Sequence, residues 1–250
     1  MSSARLIGIT KPTANVDCAT VNDLVAYVAR VSNPANQNNS KTSAKLLKSL
    51  MRDSHWSPLE MVNLLIEIKT TRDIGRQILR HKSVTGFQEF SQRYAVVDAP
   101  FIFREARLQD TKNRQNSVTT DDAQLKEGWT MVQASVANVC RNAYTWALGN
   151  GIAKEQARAV MPEGMTESVL YMNASLRTWV HYCMLRMGNG TQKEHMDIAT
   201  DCWSIIKAHF PDIAQAAEEL EDQKVEEKNV LQLLKSKYPE IYQDLLKNGS

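Results

Sequence analysis

The densest concentration of groups able to do chemistry is Arg80-His81-Lys82-Ser83, continuing through Gln88-Glu89 to Ser91-Gln92-Arg93-Tyr94. Arg80, His81, Lys82 and Arg93 are four cations or potential cations within fifteen residues. A solvated helix end would account for Arg80 and Lys82 alone, since basic residues there complement the helix dipole. It accounts poorly for the close order of Gln, Glu, Ser, Arg and Tyr in an apolar frame. Guanidinium groups, a hydroxyl and loop amides gathered at one place are what an anionic phosphate ligand requires. Two more arginines stand out. Arg158 sits on a helical stretch with Ala157, Ala159 and Val160, facing either solvent or a site. Arg186 ends an apolar helix bearing Trp179, Val180, Tyr182 and Leu185, where a guanidinium is costly without a polar or anionic partner.

The stretch from Arg80 to Tyr94 resembles the signature of the flavin-dependent thymidylate synthases: an Arg-His-Arg triplet, seven or eight residues, then a serine. Here eight residues, 83–90, separate the triplet from Ser91, and Gln92-Arg93-Tyr94 also fits. Lys82 departs from the usual arginine, keeping the charge and losing the bidentate fork. Gly86 lies inside the longer spacer and is expected as a turn residue. The likeness extends over roughly residues 5–210. Ala29-Arg30-Val31-Ser32 resembles the family's N-terminal flavin-contacting segment. His55-Trp56-Ser57-Pro58-Leu59-Glu60 is similar to its His-x-Ser/Thr-Pro-Phe-Glu element. Glu155-Gln156-Ala157-Arg158 with Met161-Pro162 resembles the segment whose arginine binds the nucleotide. Tyr171-Met172-Asn173 and Leu185-Arg186 match two further elements, with Gln192 and Glu194 beyond them. One short motif is weak evidence, whereas five more in the right order make it strong.

The resemblance implies an enzyme that converts dUMP to dTMP. Methylenetetrahydrofolate would donate the carbon, reduced FAD the hydride, and NADPH would re-reduce the flavin. It assigns Ser32, His55, Ser57, Arg80, His81, Lys82, Glu89, Asn173 and His181 to FAD. Gln77, Glu89, Ser91, Arg93, Arg158 and Arg186 go to dUMP, with Arg186 catalytic. In place of a cysteine adding to C6, Arg186 would polarise a uracil ring gathering negative charge at its carbonyl and N3 region. No cysteine lies in a matched active-site element. His195 and His209 are expected to be structural. The family also implies a homotetramer with active sites shared between subunits.

The elements that must position these groups form an α+β protein, helices dominant, with a thymidylate-synthase-complementing-type fold packed around a sheet as a single domain. Residues 6–10 suit a strand ended by Lys11-Pro12. Val21, Leu24, Val25 and Val28 recur at helical spacing, and residues 33–43, rich in Asn, Ser and Pro, form a loop. Leu46, Leu47 and Leu50 mark a second helix. Residues 61–70 alternate as a strand, and Thr71-Arg72-Asp73 starts a short helix. Residues 93–103, rich in Val, Phe and Tyr, read as a strand interrupted at Pro100, followed by a polar loop at about 109–120. A long helix over 121–148 ends at the glycine cap Gly149-Asn150-Gly151. Residues 152–161 form a shorter helix, 168–174 a strand, and 176–187 and 193–209 helices. Residues 1–210 are expected as the functional domain and 211–250 as a charged helical extension. Six acids and two lysines between Glu218 and Lys228 make a solvated face there.

Composition narrows the class. With 43% hydrophobic residues in 250, the chain can bury one substantial core. Thirty basic against 28 acidic residues leave a formal charge of +2, too balanced to coat nucleic acid, and 7% aromatics argue against base stacking. The cysteines, Cys18, Cys140, Cys183 and Cys202, have no CxxC pairing, so neither a zinc ribbon nor a disulfide framework is expected, and no metal. Residues 1–10 lack a signal peptide's apolar region, and no stretch approaches the roughly 18 apolar residues of a membrane span. The expectation is a cytoplasmic protein without membrane or nucleic-acid partners. Other candidates are a nucleotide-binding regulator that lost the chemistry, and an enzyme making a different C5 product such as hydroxymethyl-dUMP.

Overall fold

A computed structural model describes residues 2–240 and Gln243. In chain order its elements are β1 (Ser3–Ile9), α1 (Val21–Ala29), α2 (Ser43–Arg52), β2 (Asn63–Thr71), α3 (Arg72–Ile78), β3 (Gly86–Glu89), β4 (Arg107–Gln109) and β5 (Ser117–Thr119). They continue with α4 (Ala123–Gly149), α5 (Lys154–Ala157), β6 (Glu167–Ser175), α6 (Leu176–Met187), α7 (Lys193–His209) and α8 (Pro211–Lys237). The expected mixture of helix and sheet is what forms, and the sheet is antiparallel. The backbone packs as two units, one from residues 1–11 and 59–205, the other from 12–58 and 206–250.

In the first unit, four strands pair in the order β1-β2-β6-β3, each neighbour antiparallel. β2 and β6 run side by side from Asn63 opposite Ser175 to Thr71 opposite Glu167. Leu64, Ile66, Ile68, Leu170, Met172 and Ala174 are all fully buried. Alternation at period two therefore sets one face of the sheet into the core. The other face carries polar pairs, such as the Tyr171 hydroxyl donating to Glu67 at 2.8 Å. Ser175 then caps α6, its Oγ accepting the Thr178 N–H at 3.3 Å, and the Trp179 indole donates to the Leu64 carbonyl at 3.1 Å. The helix is thus fixed in rotation, which decides where Tyr182 and Arg186 fall.

Helix α4 begins at the N-cap Asp122, whose carboxylate accepts from the Leu125 N–H at 2.9 Å. It ends where Gly151 turns with φ +78° and the Ile152 N–H reaches the Ala147 carbonyl at 3.0 Å. Gln133, Ala137, Tyr144 and Ala147 face inward. A second apolar stripe, Leu125, Trp129, Val132, Val136, Val139 and Trp146, faces outward, with Val139 69% and Trp146 65% exposed. No charged residue falls between Glu127 and Arg141.

The strand expected over residues 93–103 does not form. Several of its polar backbone groups are met instead by side chains of α4. Arg141 donates to the carbonyls of Val97 and Ala99, at 2.6 Å each, and lies over the Phe101 ring at 4.5 Å. The Val97 N–H donates to the Tyr144 hydroxyl at 3.2 Å, and the Arg104 N–H to Gln133 at 2.7 Å. With those groups satisfied, no neighbouring strand is needed. The loop expected at 109–120 instead contains the hairpin β4–β5, because the Asp110 carboxylate accepts from the Lys112 and Asn113 N–H groups and from Asn116, closing a tight turn. Gly86, expected as a turn residue, opens β3 opposite Asn173. The expected helix over residues 152–161 is shorter: α5 gives way to a 3-10 turn, Arg158–Val160.

In the second unit α1 starts with a capping box between Thr20 and Asp23, and packs with α2, which in turn packs on α8. Ile213, Ala214, Ala216 and Ala217 are the buried residues of α8, and beyond them the helix is exposed. No described helix is long and apolar enough to cross a membrane.

Candidate active site

Arg186 occupies the last turn of α6, half-buried, with its Nε shielded from solvent and without a hydrogen-bond partner. Around it stand two histidines and a tyrosine. His81 meets Tyr182 edge-on, with ring centroids 5.4 Å apart and planes at 77°. Its Nε2 lies 3.1 Å from the Ser83 hydroxyl. Burial first, then the charges of Arg186 and His181, holds His81 below the usual histidine value. His195 is fully buried on α7, and burial followed by the charges of Arg186 and His81 takes it down to about 4. Both shifts favour the neutral imidazole, which leaves Arg186 as the cation of the cluster. Gln77, at the end of α3, joins it through His195 Nδ1 at 3.4 Å and donates to Gln192 at 2.8 Å.

A second group forms around α5. Ser91 heads a turn, its carbonyl accepting the N–H groups of Tyr94 and Ala95 at 3.1 Å and its hydroxyl that of Arg93 at 3.4 Å. Arg93 reaches the Glu155 carboxylate at 3.6 Å, and Arg158 donates from Nε to the Glu155 carbonyl at 3.2 Å. Arg93 and Arg158 are thereby both tied to Glu155, with Ser91 in the turn that carries Arg93. Gln92 beside them is buried, with its Nε2 unpartnered. Two guanidinium groups and a nearby hydroxyl are donors of the kind a phosphate accepts from.

Glu89 is held elsewhere. Its carboxylate takes Arg72 at 3.2 Å, Arg76 at 3.3 Å and the Ser168 hydroxyl at 2.9 Å, and Arg72 is itself buried. Asn173 sits on β6 with its carbonyl accepting from the Thr85 N–H and hydroxyl, at 3.2 and 2.8 Å. Arg80 and Lys82 are exposed and form no ion pair with the described residues; His181 is exposed on α6. In the second unit, Ser32, His55 and Ser57 are exposed. The neighbouring Arg30 is a structural residue at the end of α1, only 7% exposed and donating to Thr42 at 2.8 Å.

His195 takes a larger part than its sequence indicates, bonding both Gln77 and Tyr182, and Glu194 anchors a charged knot of equal weight. Arg107 reaches Glu194 at 2.6 Å and Arg104 at 3.0 Å, and Arg104 also bonds Asp73 at 2.8 Å. Burial alone would raise the Glu194 carboxyl, but its own backbone N–H, Arg104, Gln192 and Arg107 together hold it below the usual range. Arg104 and Arg107 carry no signal in the sequence, because their partners lie some ninety residues away. A hollow of about 540 Å³ beside this knot is lined by Arg107, Arg114, Trp129 and Gln192, and does not contain Arg186 or Ser91.

All four cysteines are free. Burial pushes the Cys183 and Cys202 thiols well up, so neither supplies a thiolate near pH 7. Cys18 is also raised, by burial and then by Asp23 and Asp17. Among the described residues, no group of three His, Cys, Asp or Glu side chains is placed to hold a metal.

Residues 16–212 match the family described as thymidylate synthase complementing protein. The chain is 46% identical over 214 residues to a probable flavin-dependent thymidylate synthase of Paramecium bursaria Chlorella virus 1, covering 86% of this chain and 98% of that protein. It is 44% identical over 216 residues to the flavin-dependent thymidylate synthase of Synechocystis, with the same two coverages. A solved structure of a UMP/dUMP methylase, PolB from Streptomyces cacaoi bound with 5-Br dUMP, superposes with a TM-score of 0.74 at 24% identity, covering 86% of this chain and 94% of that one, which shows the shared fold. With residues 16–212 matching the family model and its sequence aligned over 98% of each of these two curated relatives, the chain belongs to the flavin-dependent thymidylate synthase family.

Proposed function

We propose that the protein methylates dUMP at C5 to give dTMP, taking the carbon from 5,10-methylenetetrahydrofolate, without a cysteine nucleophile. The observation that carries this is Arg186, a half-buried guanidinium whose Nε lacks a partner among the described residues and whose neighbouring histidines are both shifted towards the neutral form. For C5 to attack a one-carbon unit, the pyrimidine must become electron-rich. A fixed cation at its carbonyl and N3 edge stabilises the enolate-like form as charge develops there. Arg186 is that cation. Ser91, Arg93 and Arg158 hold the phosphate and sugar, and Gln77 and Glu89 border the nucleotide.

The residues present fit FAD. Arg80 and Lys82 are free cations for a diphosphate, and His81 presents a half-buried ring. With Asn173, His181 and Glu89 they form the flavin set in the first unit; Ser32, His55 and Ser57 in the second are assigned to the same cofactor by resemblance. Bound in its reduced form, FAD would supply the hydride that completes the methyl group, with NADPH as the reductant that regenerates it. We further propose a homotetramer with shared active sites, which the uncharged outward stripe of α4 supports. The functional domain spans residues 1–210, with 211–250 as an appended extension, in keeping with the family match ending at residue 212. Four free thiols fit a reducing cytoplasm.

The visible spectrum of purified protein tests the proposal. A flavin band that changes shape on adding dUMP is expected. Colourless protein that takes up no FAD, or a flavin blind to dUMP, contradicts it.

A further inference from the structure

Four hydrogen bonds join five side chains in one line. The Tyr182 hydroxyl lies 3.1 Å from His195 Nε2, and His195 Nδ1 lies 3.4 Å from Gln77 Oε1. Gln77 Nε2 lies 2.8 Å from Gln192 Oε1, and Gln192 Nε2 lies 2.9 Å from Glu194 Oε2. The direction of the line follows from its acidic end. An ionised carboxylate only accepts, so Gln192 must turn its NH₂ to Glu194 and its oxygen to Gln77. Gln77 must then offer NH₂ to Gln192 and its oxygen to His195. His195 must carry its proton on Nδ1, leaving Nε2 to accept from Tyr182. Reversing any link sets donor against donor or acceptor against acceptor inside the protein, where an unmet polar group is expensive.

We propose that His195 is a positioning residue of the nucleotide site: held as the Nδ1–H tautomer by Glu194 acting through Gln192 and Gln77, it fixes the Gln77 amide so that its remaining N–H meets an acceptor oxygen of the nucleotide. The proposal rests on the assignment of dUMP to this site. Charge in the surroundings favours the same arrangement. Arg186 on α6 and His81 after α3 both act on His195, and a second full cation beside Arg186 would oppose it. On the far side Arg104 and Arg107 keep Glu194 ionised. Gln77 is half-buried, and its bonds to Gln192 and His195 leave one amide hydrogen uncommitted. A ligand presenting a donor at that point would be rejected, and one presenting a carbonyl or hydroxyl oxygen accepted.

Two measurements on the full chain decide it. ¹⁵N-histidine NMR of the wild type, with His195→Gln identifying the resonance, is expected to show a neutral ring protonated on Nδ1. An Nε2–H tautomer, or an imidazolium at neutral pH, would overturn the proposal. With dUMP as the calorimetric probe, His195→Leu is expected to weaken binding roughly tenfold, the cost of one unmet buried polar group. Its flavin content should stay at the wild-type level, and KM for dUMP should rise far more than kcat falls. His195→Gln can accept from Tyr182 and donate to Gln77, so it should restore most of the affinity. Unchanged dUMP affinity in folded His195→Leu overturns the proposal. Should the wild type bind no dUMP, the substrate assignment fails, and the tautomer still decides whether Glu194 dictates the line.

Discussion

Arg72 sets its Nη1 3.2 Å from Oε1 of Glu89, with only 6% of its side chain exposed, and that same oxygen takes the Ser168 hydroxyl. Glu89 therefore balances a buried charge, whatever it does for a ligand. Removing one partner of such a pair strands the other, although Glu163 still reaches Arg72 at 3.1 Å. Glu89→Ala is expected to lower stability by about 3 kcal/mol in urea unfolding. The double change Arg72→Met with Glu89→Leu should recover most of that loss, because neither charge is then buried. Equal instability of the single and double variants would mean that the ion pair does not hold this corner.

Arg141 is expected to matter as much, for a different reason. It serves two carbonyls and a ring in the segment that forms no strand. Arg141→Ala should cost roughly 2–4 kcal/mol, from two charge-assisted bonds and a cation–π contact. Hydrogen exchange at the amides of Val97 and Ile102 should accelerate with it. Slow exchange there in the variant would show that the segment is held by something else.

Acid should weaken the fold through His195. Its folded value of about 4 lies below its ordinary 6.5, so the unfolded chain takes up the proton first as pH falls. The stability is fully present above about pH 6.5 and is lost as pH drops towards 4, a change of about 3 kcal/mol. His81, lowered in the same direction, adds to it. Urea midpoints of wild type and His195→Gln across this window should differ by that increment. Parallel pH dependence in the two proteins would contradict it.

The cysteines should prove dispensable for chemistry. Replacing all four with alanine is expected to leave basal turnover in protein that still folds, with a stability loss from the buried Cys183 and Cys202. Abolished turnover in a folded variant would point to a thiol nucleophile.

Helices, and the strands β2 and β6, were legible because local periodicity and burial coincide there: Leu64, Ile66 and Ile68 alternate inward, and α7 ends where the apolar pattern ends. Residues 93–103 were not. Their Val, Phe and Tyr content is that of a strand, but Arg141 and Tyr144, some forty residues away, take the partner's place. The tie between Arg93 and Arg158 has the same character, since Glu155 meets Arg93 only once the chain has folded. His195 gives no local sign of its role. Its meaning lies in Gln77 and Tyr182, on two other helices.

Polarisation by Arg186 is tested most sharply by Arg186→Ala assayed with dUMP and methylenetetrahydrofolate, alongside its flavin spectrum. Polarisation by this guanidinium predicts protein that retains FAD and its fold yet loses dTMP formation by at least about a hundredfold, the scale of losing one electrostatic stabiliser of a developing oxyanion. Wild-type turnover in the flavin-loaded variant would contradict it.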